Sequence, residues 1–210
     1  MKVFDAWCAR LRERLILPDA LEKADLIFVL AGHRNRKVYG ARLFRDGWAP
    51  RLVMSTGDPP YIARVLQREV PASILPNAQA EADLREAAAR PSPREGQFFA
   101  CLDQRGWSVE PIEVGWFGTL SEIKAFASWL QQRTSINSVL VVSMGMHLKR
   151  LRMCCGRLLP EGCRVRFIAV TPESADGTPL GGRPPREGPR EILLEHAKAL
   201  LYRVLLLFAS

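Results

Sequence analysis

The stretch ADLIFVLAG, residues 24–32, decides the fold. It is a continuous apolar run closed by glycine, the pattern of a strand buried on both faces. Residues 36–47 follow with helical periodicity, Val38, Ala41, Leu43 and Phe44 on one side, and stop at Gly47. RLVMSTGD, 51–58, is a second short strand that runs into small polar residues. Strand, helix, strand predicts a parallel pair joined by a right-handed crossover. NSVLVVS, 137–143, repeats the buried-strand pattern and leads straight into a helix over 147–159. RVRFIAV, 164–170, is the last strand.

Between these anchors the signals are mixed. Residues 59–69 and 77–89 read as helices, with VPASILP (70–76) as a short extended piece between them. PSPREG, 91–96, is a breaker cluster, and 97–105 reads as a further helix. WSVEPIEVG, 107–115, alternates like a strand, and Pro111 assigns it to an edge. A helix capped by Thr119 or Ser121 runs to 132, with Leu120, Ile123, Phe126, Ala127 and Leu130 as its apolar face. At the N-terminus, within 1–20, residues 3–16 form an amphipathic helix striped by Val3, Trp7, Leu11 and Leu15. A Gly/Pro-rich loop spans 171–189, and a helix over 190–207 closes the chain. The whole reads as a single α/β domain, 1–210: a three-layer, mainly parallel sheet of about five strands with helices on both faces.

Composition agrees with a globular domain. The chain has 210 residues and a formal charge of +8, and its excess of basic residues is almost all arginine, 24 Arg against 6 Lys. The charges are spread rather than clustered, and no nucleic-acid-binding motif accompanies them, so no nucleic acid is expected as partner. Five cysteines (Cys8, Cys101, Cys154, Cys155, Cys163) lack zinc-type spacing and read as reduced thiols of a cytoplasmic protein. The N-terminus carries Asp5, Arg10, Arg12 and Glu13 where a secretory signal needs apolar residues. The run ALLYRVLLLFA, 199–209, is too short to cross a bilayer and reads as a helix packed on the core, with peripheral membrane contact the lesser alternative.

In sheets of this kind ligands sit beyond the carboxyl ends of the strands. That rule selects residues directly. The first strand end offers Gly32, where the backbone can turn tightly, with Arg34 and Arg36 to pair with a phosphate or carboxylate. The second offers Ser55, Thr56 and Gly57, whose backbone N–H groups can face an anion, and Asp58, whose simplest job is to cap the next helix. The third, SMGMHLKR (143–150), places Ser143 at the strand end and His147 and Arg150 three residues apart. A histidine beside a helix N-terminus is favoured as the neutral ring and suits acid–base work. Thr119 and Glu122 form a TxxE capping box, and Glu122 is also placed to orient His147. Ser143, His147 and Glu122 are therefore the candidate catalytic groups, and the others the candidate ligand-binding groups. No metal-ligand pattern, Walker motif or zincin motif is present.

Taken together, ADLIFVLAG, Arg36, YGARLFRDGWAPRLVMSTG, GTLSE and VLVVSMGMHLKRLR resemble the bacterial YdcF/SanA/ElyC-like family, a domain family of largely unknown function. The resemblance covers roughly 24–57 and 118–170 and does not extend well over 59–117. It implies a Rossmann-like fold and points to Gly32, Arg36, Ser55, Gly57, Thr119, Glu122, Ser143, His147 and Arg150. It also brings S-adenosylmethionine into view as a possible ligand. Departures are AGHRN at the first loop and STGD at the second. The expected activity is binding of a polar or anionic small molecule, nucleotide-like or S-adenosylmethionine-like, at the sheet edge. The alternative is a non-catalytic regulatory or scaffold role in cell-envelope biogenesis.

Overall fold

The structure is a computed structural model and describes residues 10, 11, 13, 15, 16, 18–115, 118–170 and 188–207. Most of the expected 3–16 helix, Cys8, and the 171–187 part of the expected loop lie outside them.

Six strands form one mixed sheet: β1 (Leu26–Val29), β2 (Leu52–Thr56), β3 (Gln97–Asp103), β4 (Gly106–Ile112), β5 (Ser138–Met144) and β6 (Arg164–Val170). Their order is β4-β3-β2-β1-β5-β6. The four strands β2, β1, β5 and β6 are mutually parallel, whereas β3 and β4 are antiparallel additions at one side. The expectation of about five mainly parallel strands is therefore corrected to six in a mixed sheet. The added strand is β3, where a helix was expected. Its run FFACL has no alternation because both faces are covered, so periodicity cannot separate buried strand from buried helix. The hairpin that follows closes at Asp103 and Gly106. Gly106 has φ +127°, and Asp103 accepts a hydrogen bond from the Arg105 N–H.

Two sets of helices cover the sheet. One face meets α1 (Arg34–Arg45), α2 (Pro59–Glu69) and α3 (Ala78–Ala89). The other meets α4 (Gly118–Gln131), α5 (Leu148–Leu158) and α6 (Pro189–Leu207). The residues of β1 alternate accordingly: Ile27 and Val29 face the first set, Leu26, Phe28 and Leu30 the second. On the second face Phe28 stacks on Phe126 with centroids 3.7 Å apart, and Phe99 meets both edge-on. Helix starts follow the local chemistry. Asp58 accepts from the Tyr61 N–H ahead of Pro59 and Pro60, and Asn77 accepts from the Ala80 N–H. Between α2 and α3 the expected extended piece is a 3-10 turn, Ala72–Ile74, because two prolines leave no room for a strand's hydrogen bonds.

Gly40 sets how closely α1 lies on β1. A Cβ there would fall 2.3 Å from Cγ2 of Val29. Gly40→Ala is expected to lower stability by about 1–3 kcal/mol through overpacking. A urea titration checks this, and a change within about 0.5 kcal/mol would mean that α1 shifts freely.

Candidate functional site at the β1–β5 crevice

The chain leaves β1 through α1 towards β2 on one side of the sheet, and leaves β5 through α5 towards β6 on the other. Neighbouring parallel strands whose connections diverge open a crevice at their carboxyl ends. Gly32, Arg36, Glu122, His147 and Arg150 of the predicted residues lie at this point.

Just past β1, Gly32 takes φ +104°, and the space a Cβ would occupy lies 3.4 Å from Nη1 of Arg36. Arg36 Nη1 donates to the Ala31 carbonyl at 2.6 Å, while the Ala31 N–H donates to Glu122 Oε1 at 2.7 Å. The backbone of one residue, Ala31, is thus held at its N–H and at its carbonyl by charged side chains that are themselves buried. This corrects the capping-box expectation for Thr119 and Glu122. The Glu122 carboxylate reaches across to the β1 loop instead of back to its own helix start, because an orphan N–H at a strand end is available there. Thr119 lies half-buried in the first turn of α4.

Beside Arg36, Lys37 is buried with its ammonium enclosed by backbone. Nζ donates to the carbonyls of Leu30 (2.8 Å), Val29 (3.3 Å) and Ser55. It therefore ties the end of β1 to the end of β2. Burial pushes its pKa down to about 7, with Arg36 acting in the same direction and Glu122 against it. Burial likewise lowers the Arg36 pKa to about 10.

Past β5, a 3-10 turn (Gly145–His147) precedes α5. His147 is the more open group, its side chain 27 % exposed. Its Nδ1 lies 3.2 Å from Glu195 Oε2 and 3.1 Å from Arg150 Nη2. With a proton, Nδ1 donates to Glu195; without one, it accepts from Arg150. The first tautomer leaves Nε2 a base, the second leaves it an N–H donor. Burial, followed by the charges of Arg36 and Arg150, lowers the His147 pKa against the pull of Glu195, so the ring is neutral near pH 7. Arg150 donates from Nη1 to Glu195 Oε2 at 3.0 Å and stands 5.2 Å from the Tyr202 ring centre. Lys198 donates to the other oxygen, Oε1, at 2.9 Å. Burial raises the Glu195 pKa, but hydrogen bonds from His147 and Lys198 and the Arg150 charge outweigh it and hold the group at about 2.

Glu195, not Glu122, therefore orients His147. Sequence reasoning missed Glu195 and Lys37. A signal for Glu195 exists: it sits on the inward stripe Ile192, Glu195, Ala199, Tyr202, Leu206 of α6, where a carboxylate needs a partner. Lys37 shows itself only as a charge on the first turn of α1.

The remaining predicted residues divide. Val29 pairs with Met54 on one side and Val142 on the other, so Ser55, Leu30 and Ser143 stand level at the ends of three adjacent strands. Both serines are fully buried and their hydroxyls have no partner among the described residues. Asp58 caps α2 and also accepts from the Ser92 hydroxyl, and Thr56 Oγ1 accepts from the Asp58 N–H. Arg34 points away towards α2, its guanidinium 5.1 Å from the Tyr61 ring centre. Gly57 packs beside Gln97 of β3. Arg34, Thr56, Gly57 and Asp58 thus form a second group, at the end of β2, apart from the His147 cluster. A separate cleft of about 670 Å³, lined by Phe99, Glu110, Ile112, Leu120, Lys124 and Trp129, contains none of the predicted residues.

Comparison with protein-family models, curated proteins and solved structures finds no match.

Proposed function

We propose that the crevice between the ends of β1 and β5 binds a polar or anionic small molecule, nucleotide-like or S-adenosylmethionine-like, with His147 as its proton-handling group. The observation that carries this reading is the convergence of Arg36, Arg150 and a neutral, partly open His147, with buried Glu195 bonded to His147 and Arg150 and buried Glu122 bonded to the Ala31 backbone that Arg36 also holds. Buried charge is costly, and a purely structural junction is more cheaply built from apolar side chains. Two guanidiniums whose Nε atoms have no partner among the described residues also leave donor capacity at the junction. The same residues carry the resemblance to the YdcF/SanA/ElyC-like family, and we read the chain as a divergent relative on those motifs.

The experiment is a thermal-shift screen of nucleotides, S-adenosylmethionine and sugar phosphates, followed by calorimetry. A ligand at a hundred times its Kd is expected to add about 2.7 kcal/mol to the wild type. His147→Ala is expected to lose most of that gain while keeping the unliganded fold. No stabilising compound, or equal stabilisation of both proteins, would count against the reading.

A further inference from the structure

The outer face of α6 carries apolar side chains in open solvent. Leu193, Leu194, Leu200, Leu201, Val204 and Leu207 are 43, 52, 64, 49, 53 and 77 % exposed. The expected packing of this helix on the core holds for its other side alone, where Ile192, Glu195, Ala199, Tyr202 and Leu206 are buried. The outer residues recur at spacings of three, four and seven, so they form one continuous stripe along the helix. A stripe of this length is more than the scattered leucines of an ordinary surface.

The charges beside the stripe identify what covers it. Arg190 and Arg203 are exposed and have no ion-pair partner among the described residues. Lys198 is half-exposed and reaches inward to Glu195. Of the two carboxylates on α6, Glu195 is buried and Glu191 lies in the first turn. The margin is therefore cationic, on a chain of formal charge +8. A second copy seated on this face would bring Arg203 against a like margin, since α6 itself carries no fully exposed acid to answer it. An anionic bilayer surface supplies both requirements, acyl chains for the leucines and phosphate for the arginines. No helix among the described residues is long and apolar enough to cross a membrane, so the contact is one of lying on the surface.

We infer that α6 docks on an anionic lipid surface through its outer leucine stripe, with Arg190 and Arg203 at the headgroups. This inference is independent of the proposed ligand. Because Glu195 holds His147 and Arg150 from the inner side of the same helix, docking leaves the crevice on the far side of α6 from the membrane, separated by about the 10 Å thickness of the helix.

The test is flotation of the full chain with vesicles of phosphatidylcholine alone or mixed with phosphatidylglycerol. At low salt the protein is expected to float with the mixed vesicles and to be released at about 0.5 M salt. Leu200→Glu is expected to cut the floated fraction about tenfold and Arg203→Glu to weaken it, since binding combines apolar insertion with charge attraction. Both positions are exposed, and circular dichroism melts verify that each variant stays folded. Absence of flotation with mixed vesicles overturns the inference, as does flotation unaffected by Leu200→Glu or equal on both vesicle types. A concentration-dependent dimer that Leu200→Glu abolishes, without vesicle binding, assigns the stripe to a second copy and also overturns it.

Discussion

Glu195→Ala is expected to destabilise the protein by about 3–5 kcal/mol, because it leaves the buried Arg150 guanidinium without its carboxylate. The loss is larger than a surface ion pair would produce, since the side chains of Arg150 and Glu195 are only 9 and 6 % exposed. Adding Arg150→Met to Glu195→Ala removes the uncompensated charge and is expected to recover much of the loss. Urea titrations of the two single variants and the double variant measure the coupling directly. If Glu195→Ala costs no more than about 1 kcal/mol, the range of an exposed pair, the buried network described above is wrong.

The same pair predicts an acid limb. The Glu195 carboxyl is held at about 2 in the folded protein against an ordinary value of 4.5. A group depressed on folding contributes stability that is complete above its unfolded pKa and is lost as pH falls towards its folded one. About 3 kcal/mol is therefore expected to disappear between pH 4.5 and pH 2, and Glu195→Ala is expected to flatten that limb. His147 acts in the same direction one step higher. Its folded pKa lies below 6.5, so its contribution is complete above pH 6.5 and declines as the pH falls below that. Because Glu195 props up the His147 pKa, the alanine variant is expected to push the histidine transition to still lower pH.

The second large effect is expected for Lys37→Met. The substitution keeps the side-chain volume but withdraws the donor that the carbonyls of Val29, Leu30 and Ser55 share. Each buried acceptor left unpaired costs about 1–3 kcal/mol. Relief from burying an ammonium offsets part of this, so a net loss of about 3 kcal/mol is expected. The pH dependence separates lysine from a packing effect. Its folded pKa of about 7 lies below the ordinary 10.5, so between these values the unfolded chain binds more protons and stability rises with pH. Subtracting the variant's stability curve from that of the wild type isolates this rise, since the cysteine and tyrosine contributions cancel. A flat difference between pH 7 and pH 10 would mean that Lys37 keeps an ordinary pKa and is not enclosed as described.

Both effects turn on residues that the reading of the sequence passed over, Glu195 and Lys37, while much of the scaffold around them was legible. β1, β2 and β5 are short apolar runs bounded by glycine or polar residues, and burial on both faces writes itself into composition, while the edge strand β6 shows itself by its β-branched and aromatic residues. α2 and α3 announce themselves through Asp58, Pro59 and Asn77. β3 was not legible. FFACL becomes a strand because β2 and β4 hydrogen-bond it on either side, a fact of long-range pairing. The rule that ligands sit beyond parallel strand ends found Gly32, Arg36, His147 and Arg150. It did not exclude Arg34 or Asp58, since both also follow a strand end, and only side-chain direction assigns them to Tyr61 and the α2 cap.

What the sequence determined by itself is local: which runs are buried, where helices begin, and which charged residues follow a strand. Those depend on contacts within a few residues, and burial leaves its trace in them. What only the tertiary structure decided is the partner of each charge at the crevice. His147 and Glu195 are 48 positions apart, and Ala31 and Glu122 are 91 apart. Such pairings are set by the packing of α4 and α6 over β1 and β5, and no local pattern encodes them. ADLIFVLAG predicted a strand with a ligand edge. The packing shows the Ala31 backbone at that edge held by Glu122 at its N–H and by Arg36 at its carbonyl, with the Lys37 ammonium in the carbonyls beneath.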